Sequence, residues 1–240
     1  MPPPTGRSRW SQAQHAEFTF WTRNSTIEAA TRSRQASAAT ETGFFDGDGA
    51  FSKRLATARR VAEIGAGPAG IIYFLETPAL RIAIDPLTAQ LVEAGFNNSF
   101  GTIRVQAIGE QLPLADESVD VAICYNVLDH CRNPAAVLAE MHRILRRGGT
   151  MVLALHLIRS SFGSLGPLLG RLDPPHPYHF TKEQALGMAQ SGGFRLEIER
   201  VEAKGLRRFA PRELISYDGI RHLGSWILTG SVGYFRFGRD

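Results

Sequence analysis

Three glycines and two acids carry the densest chemistry in this chain. Gly65, Gly67 and Gly70 lie in the run Val61-Ala62-Glu63-Ile64-Gly65-Ala66-Gly67-Pro68-Ala69-Gly70, and Asp85 closes the next apolar run, followed by Pro86. A glycine turn between a buried strand and a helix lets a ligand approach the backbone and meet unpaired N–H groups. An acid at the tip of the neighbouring parallel strand is within reach of ribose hydroxyls, which makes Asp85 the ribose acceptor. The glycine spacing alone suits a dinucleotide or a flavin equally well. Glu63 shifts the balance, because a carboxylate two residues before Gly65 would repel a pyrophosphate and attract a cation. The ligand expected over Gly65, Ala66 and Gly67 is therefore a cationic, sulfonium nucleoside.

A second constellation is built from imidazoles. Asp129-His130 follows the apolar run at 119–125, His156 follows the run at 150–155, and Asp173-Pro174-Pro175-His176-Pro177-Tyr178-His179-Phe180-Thr181 puts two imidazoles and a phenol in a proline-stiffened loop. In an open α/β sheet such positions fall at the carboxyl edge, where ligands bind. His130 is the candidate general base and Asp129 its partner, with His156, His176, Tyr178 and His179 as acceptor-side contacts. Structural duties compete with these roles: a histidine bonded to a loop carbonyl, Asp129 capping the helix that starts near Pro134, and a capping box from Thr181 to Gln184. Hard-metal sites take several carboxylates, and no dense acidic cluster accompanies these histidines, so magnesium has no motif to hold it and stays only an open alternative. Asp46-Gly47-Asp48-Gly49 reads as a turn, since it lacks the longer ligand ladder of a calcium loop.

Alternating elements must position these residues. Strands are expected at 61–64, 81–84, 103–107, 119–125 and 150–155, with helices at 70–76, 87–94, 135–145 and 182–190 between and after them. Such alternation predicts an α/β fold with a doubly wound, mostly parallel seven-stranded sheet. Runs at 195–201 and 232–237 supply the last two strands as an antiparallel edge, separated by an insertion at 204–230, and a further insertion spans about 157–180. Residues 1–10 read as a disordered tail, and 11–55 as an N-terminal helical lid that closes over the crevice and brings Trp21 to the acceptor, the alternative being a segment that merely covers a sheet edge. Residues 56–240 form the main domain.

Composition narrows the function classes. The 240 residues suffice for one domain, two cysteines at 124 and 131 make no metal motif, and a net charge of +4 comes from dispersed arginine pairs rather than a basic stripe. Nucleic acid is not the expected partner. The N-terminus lacks the apolar core of a signal and no run is long enough to span a bilayer, so the expectation is a soluble, cytoplasmic protein with no membrane partner.

The segment from Gly109-Glu110-Gln111-Leu112-Pro113 through Val127-Leu128-Asp129-His130 to Leu145-Arg146-Arg147-Gly148-Gly149 makes the reading more specific. Taken with the glycine loop and Asp85, it resembles the class I S-adenosylmethionine-dependent methyltransferases of the type 11 kind. The resemblance implies Glu63, Gly65 and Gly67 around the methionine part, Asp85 on the ribose, Glu110 and Gln111 near the adenine, and Asn126 facing the sulfonium and the acceptor. Ala69 stands at the usual third glycine and Ile108 at a position often acidic, so adenine contacts are expected from backbone. The layout is also similar to bacterial enzymes that methylate hydroxyls of sugars, glycans or secondary metabolites. An N- or carboxyl-methyltransferase and a non-catalytic S-adenosylmethionine-binding protein remain alternatives; a flavin enzyme shares the glycines but not the series from Leu112 to Gly149.

Overall fold

Seven strands form one sheet in this computed structural model, which describes residues 6–24, 35, 37, 40–97, 100–172, 176–203 and 230–240. They are β1 (Arg60–Ile64), β2 (Leu80–Ile84), β3 (Ile103–Val105), β4 (Val119–Tyr125), β5 (Leu145–Leu157), β6 (Phe194–Ala203) and β7 (Ser231–Arg239). Their order is β3-β2-β1-β4-β5-β7-β6, with β7 antiparallel to both β5 and β6 and every other pairing parallel. The expected doubly wound sheet is thus present. The strand order reverses between β1 and β4, and a crevice opens beyond the carboxyl ends of strands at such a point.

Both faces of the sheet are covered, which is why the central strands are apolar throughout. On one face Ala62, Ile64, Ala122, Cys124, Leu153 and Leu155 pack under the helix Pro134–Ile144, called α4, and under α6 (Lys182–Ser191). On the other, Val61, Val121, Ile123 and Val152 meet Phe51 and Leu55 of α2 (Ala50–Thr57) and the buried Ile71 and Ile72. Asn133 caps α4 by accepting from the Ala136 N–H, and Thr181 with Gln184 forms the expected capping box on α6. Asp129 therefore does not cap α4. Asp46 accepts from the N–H groups of Phe51 and Ser52 at the start of α2, and Asp48 grips the buried Arg236 at 2.6 and 2.8 Å, so the Asp46–Gly49 run is a turn as read.

Several expected boundaries move. The helix expected at 70–76 is a short 3-10 turn, Ile71–Phe74. Ile71, Ile72 and Tyr73 are buried, so the segment offers little solvated face to a longer helix, and Pro78 bars continuation. Helix α1 (Gly6–Asn24) reaches back into the stretch expected to be a disordered tail, of which residues 1–5 lie outside the described residues. The insertion at 157–180 contains a 3-10 turn, Ser160–Leu165, and α5 (Gly166–Leu172). Residues 204–229 of the second insertion lie outside the described residues, as do 173–175. No described helix is long and apolar enough to cross a membrane.

Candidate active site

The turn after β1 is shaped by what its glycines avoid. Gly65 has φ 71°, and a β-carbon there would stand 2.4 Å from a methyl of Val127. Its N–H donates to the Ile84 carbonyl at 2.7 Å, tying the turn to the tip of β2. Gly67 has φ 52° and donates its N–H to Asp85 Oδ2 at 2.9 Å. Gly70 makes room for Glu63, whose Oε2 accepts from the Ile72 N–H at 2.8 Å while the side chain is buried. Glu63 lines the crevice as expected, yet this oxygen braces the loop from beneath.

Asp85 sits at the end of β2 with both oxygens engaged by backbone, Oδ1 accepting from Leu87 N–H at 2.7 Å. Burial pushes its carboxyl up to about 6, against the N–H groups of Leu87 and Gly67 that favour the anion, and the nearby Glu17 adds to the rise. Each oxygen keeps a lone pair for a ligand hydroxyl.

Glu63, Ala66, Gly67, Asp85, Pro86 and Asn126 share one crevice, with about 1020 Å³ of space not filled by atoms, its mouth included. That is ample for a nucleoside-sized ligand. Helix α1 forms its roof. Trp10, Gln14, Glu17 and Trp21 recur at i, i+4, i+7 and i+11 and all face the crevice. Trp21 Nε1 lies 3.7 Å from where a β-carbon on Gly67 would be, and donates to Glu17 Oε1 at 2.7 Å. The Arg132 guanidinium covers the Trp10 ring at 3.8 Å, pinning the far end of the roof. Trp21 thus stands over the glycine turn. Trp10, Gln14 and Glu17 were missed from sequence, although their spacing back from Trp21 is the signal that could have found them.

At the other end of the crevice lie Ile108, Gly109, Glu110 and Cys131. Glu110 Oε1 accepts from the N–H groups of Arg132 and Asn133 at 2.7 and 3.1 Å, so its carboxylate shapes this wall by holding the entry to α4. Gln111 is exposed and stands outside the lining. Arg143 braces the Leu112-Pro113 turn through the carbonyls of Leu112 and Leu114.

A histidine-rich corner begins at the end of β4. Asn126 adopts φ 57°, lines the crevice, and has a buried Oδ1 with no hydrogen-bond partner among the described residues. A 3-10 turn, Leu128–His130, then aims His130 into the same crevice and buries Asp129 behind it. The loop at 176–180 is stitched alongside: Tyr178 donates its N–H to the Asp129 carbonyl at 3.3 Å and its hydroxyl to the Arg132 carbonyl at 2.6 Å. Tyr178 therefore anchors the loop. His176 comes within 4.7 Å of His130 between ring centroids, and His179 within 6.5 Å of His176. Burial drives the Asp129 carboxyl up, but the positive charges available on His130, His176 and His156 outweigh it and hold it below the usual range. His156, at the end of β5, belongs to this corner through that charge coupling, although it is not in the crevice lining.

A methyltransferase domain model matches residues 62–153. Among solved structures, the chain is similar to the YcgJ protein of Bacillus subtilis, with TM-score 0.60 and 15% identity over 85% of this chain and 99% of that one. It is also similar to an S-adenosylmethionine-dependent methyltransferase of Thermotoga maritima, with TM-score 0.56 and 19% identity over 97% and 100%. The fold is that of a class I S-adenosylmethionine-dependent methyltransferase. In sequence, an uncharacterized methyltransferase of Mycobacterium ulcerans is 34% identical over 110 residues, which take in 44% of this chain and 42% of the relative. One of Mycobacterium avium is 32% identical over 111 residues, 45% and 44% respectively. The match therefore spans less than half of each relative's length.

The described residues fit the donor of this fold. A buried amide oxygen without a partner among the described residues, two carboxylates lining a cavity and a turn that leaves no room for β-carbons at Gly65 and Gly70 suit a nucleoside with ribose hydroxyls and a positive sulfur. Magnesium fits the histidine corner poorly, because it prefers oxygen ligands and retained waters over imidazole.

Proposed function

We propose that the protein transfers a methyl group from S-adenosylmethionine to a hydroxyl of a small molecule, with a sugar or oligosaccharide as the favoured class. The observation that carries this reading is the position of His130, which lines the donor crevice on one side and touches the histidine corner on the other. S-adenosylmethionine, when bound, supplies a methyl group on a positively charged sulfur. Asp85 takes the ribose hydroxyls, the backbone of Gly65, Ala66 and Gly67 lies along the methionine part, and Asn126 Oδ1 faces the reacting end. Ile108, Gly109 and Glu110 form the adenine wall. The α1 roof, with Trp21 over Gly67, keeps water out, which an in-line displacement requires.

A hydroxyl is a poor nucleophile until it loses its proton. His130, backed by the buried Asp129, is the pair placed to promote that loss, and His156, His176, Tyr178 and His179 frame the acceptor. The balance is simple: the acceptor oxygen gains the methyl carbon, the carbon–sulfur bond gives its electron pair to sulfur, and the proton goes to solvent. An amine acceptor would arrive neutral and would need none of this apparatus.

Two measurements test the reading. Calorimetric titration with S-adenosylmethionine and its demethylated product should give one site, and radiolabelled methyl transfer across sugars, phenols, amines and carboxylic acids should label hydroxyl compounds. Labelling of amines or acids alone would replace the acceptor class, and donor binding without turnover on any acceptor would favour a non-catalytic role.

A further inference from the structure

We infer that Asp129, His130 and His176 form a binding site for one borderline divalent transition-metal ion, of which zinc is the probe we would use. Each of the three offers a ligand atom, and these atoms all lie within 4.8 Å of one another. Asp129 Oδ1 and His130 Nε2 are 3.7 Å apart, too far for a hydrogen bond. That spacing is close to the roughly 3.4 Å between two ligands of a tetrahedral ion at its usual bond length. His176 lies on a loop that is held against Asp129 and Arg132 through its neighbour Tyr178.

Burial supplies the independent argument. Asp129 is only 5% exposed, and its Oδ1 has no hydrogen-bond partner among the described residues. A buried carboxylate oxygen left in that state is costly, and an ion bridging it to imidazoles satisfies it. The donor set also selects the ion. Two imidazole nitrogens with one carboxylate suit zinc, cobalt, nickel or iron(II), whereas magnesium and calcium call for oxygen. Three protein ligands leave a coordination position open, the pattern of a catalytic rather than a structural site.

That open position is on the acceptor side. His130 lines the donor crevice, so an ion held by it lies where the acceptor must arrive. An ion there supplies Lewis acidity, lowering the pKa of an acceptor hydroxyl so that its proton leaves to solvent. This catalytic role rests on the proposed methyl transfer to oxygen; ion binding itself does not.

The test uses the full, untagged chain after chelator treatment. Zinc titrated by calorimetry in a non-coordinating buffer should bind at one ion per chain, and cobalt(II) should give visible absorption bands that zinc displaces. His176→Ala, at a half-buried loop position, should weaken zinc by at least about tenfold, since losing a ligand costs no less than losing a group that only orients one, while binding of S-adenosylhomocysteine stays unchanged. Asp129→Asn should do the same to zinc, and the His176 variant keeps the test valid if Asp129→Asn does not fold. Absence of one-to-one binding, or binding undiminished in His176→Ala, overturns the site. Full methyl transfer by metal-free enzyme overturns its catalytic role. Loss of donor binding in the parent chain would count against the methyltransferase reading and leave the ion result standing.

Discussion

Glu63 Oε2 lies 2.5 Å from where a β-carbon on Gly70 would stand. The same oxygen holds the Ile72 N–H, so the third glycine of the turn exists to admit a buried acid that supports the turn itself. Gly70→Ala should break that hydrogen bond and cost about 2–3 kcal/mol, the range for overpacking with loss of a buried acceptor. Urea denaturation reads the loss. Gly187→Ala, in exposed α6 with nothing near the new methyl, should instead stabilise by about 0.5–1 kcal/mol. Equal effects at the two positions would contradict the packing described.

The roof gives a second prediction. Trp21 covers Gly67 and is held by Glu17, so Trp21→Ala opens the donor crevice while leaving the sheet intact. Affinity for S-adenosylhomocysteine should fall by about 1–2 kcal/mol, the worth of part of an aromatic side chain's burial, mostly as a faster off-rate. Stopped-flow or calorimetric binding measures it. An unchanged affinity would show that α1 covers a sheet edge and not the ligand.

Much of this arrangement is legible in the sequence because it is local. The run at 119–125 is strand β4 to the residue, since its apolar character leaves no other element, and the Thr181–Gln184 box marks the start of α6 from spacing alone. Other features depend on tertiary choices. Glu110 looks like a ligand contact, yet it stands 22 residues before the Arg132 N–H that claims its carboxylate. The run at 71–74 carries a helix-compatible pattern but has Ile71, Ile72 and Tyr73 buried and shortens to a 3-10 turn. Asp129 and His176 are far apart in the chain, and non-local ties such as those of Tyr178 to Asp129 and Arg132 bring them together. Arg236, from the last strand, reaches the Asp48 turn in the same non-local way.

Donor affinity should depend on pH through Asp85. Its carboxyl is raised from 3.8 to about 6, chiefly by burial, so in the free protein it is protonated below about 6 and ionised above. Ribose hydroxyls donate to the anion and a positive ligand favours it, so binding pulls the proton off. Affinity should be level above about pH 7 and weaken by up to tenfold per unit below 6. Calorimetry at pH 5 to 8, repeated in buffers of different ionisation enthalpy, should detect proton release near pH 6. Asp85→Asn should flatten the profile and weaken binding by about 1–3 kcal/mol; a flat profile in the parent chain would remove Asp85 from the ligand.

His130 separates donor binding from chemistry. It lines the crevice, 4.7 Å from His176 and next to the buried Asp129, while the proposed ribose and methionine contacts are Asp85 and Gly65–Gly67. Removing its imidazole should lower kcat by about 10²–10⁴, the range for losing proton-transfer assistance, and change donor affinity by less than about tenfold. Whether the imidazole acts on the hydroxyl directly or through an ion, the proton of the acceptor is what it serves, so the deficit should shrink on a more acidic acceptor such as a nitrophenol. Single-turnover methyl transfer with donor-saturated enzyme isolates that step. Equal deficits on acidic and ordinary hydroxyls would assign His130 to positioning, and an undiminished rate would take it out of catalysis altogether.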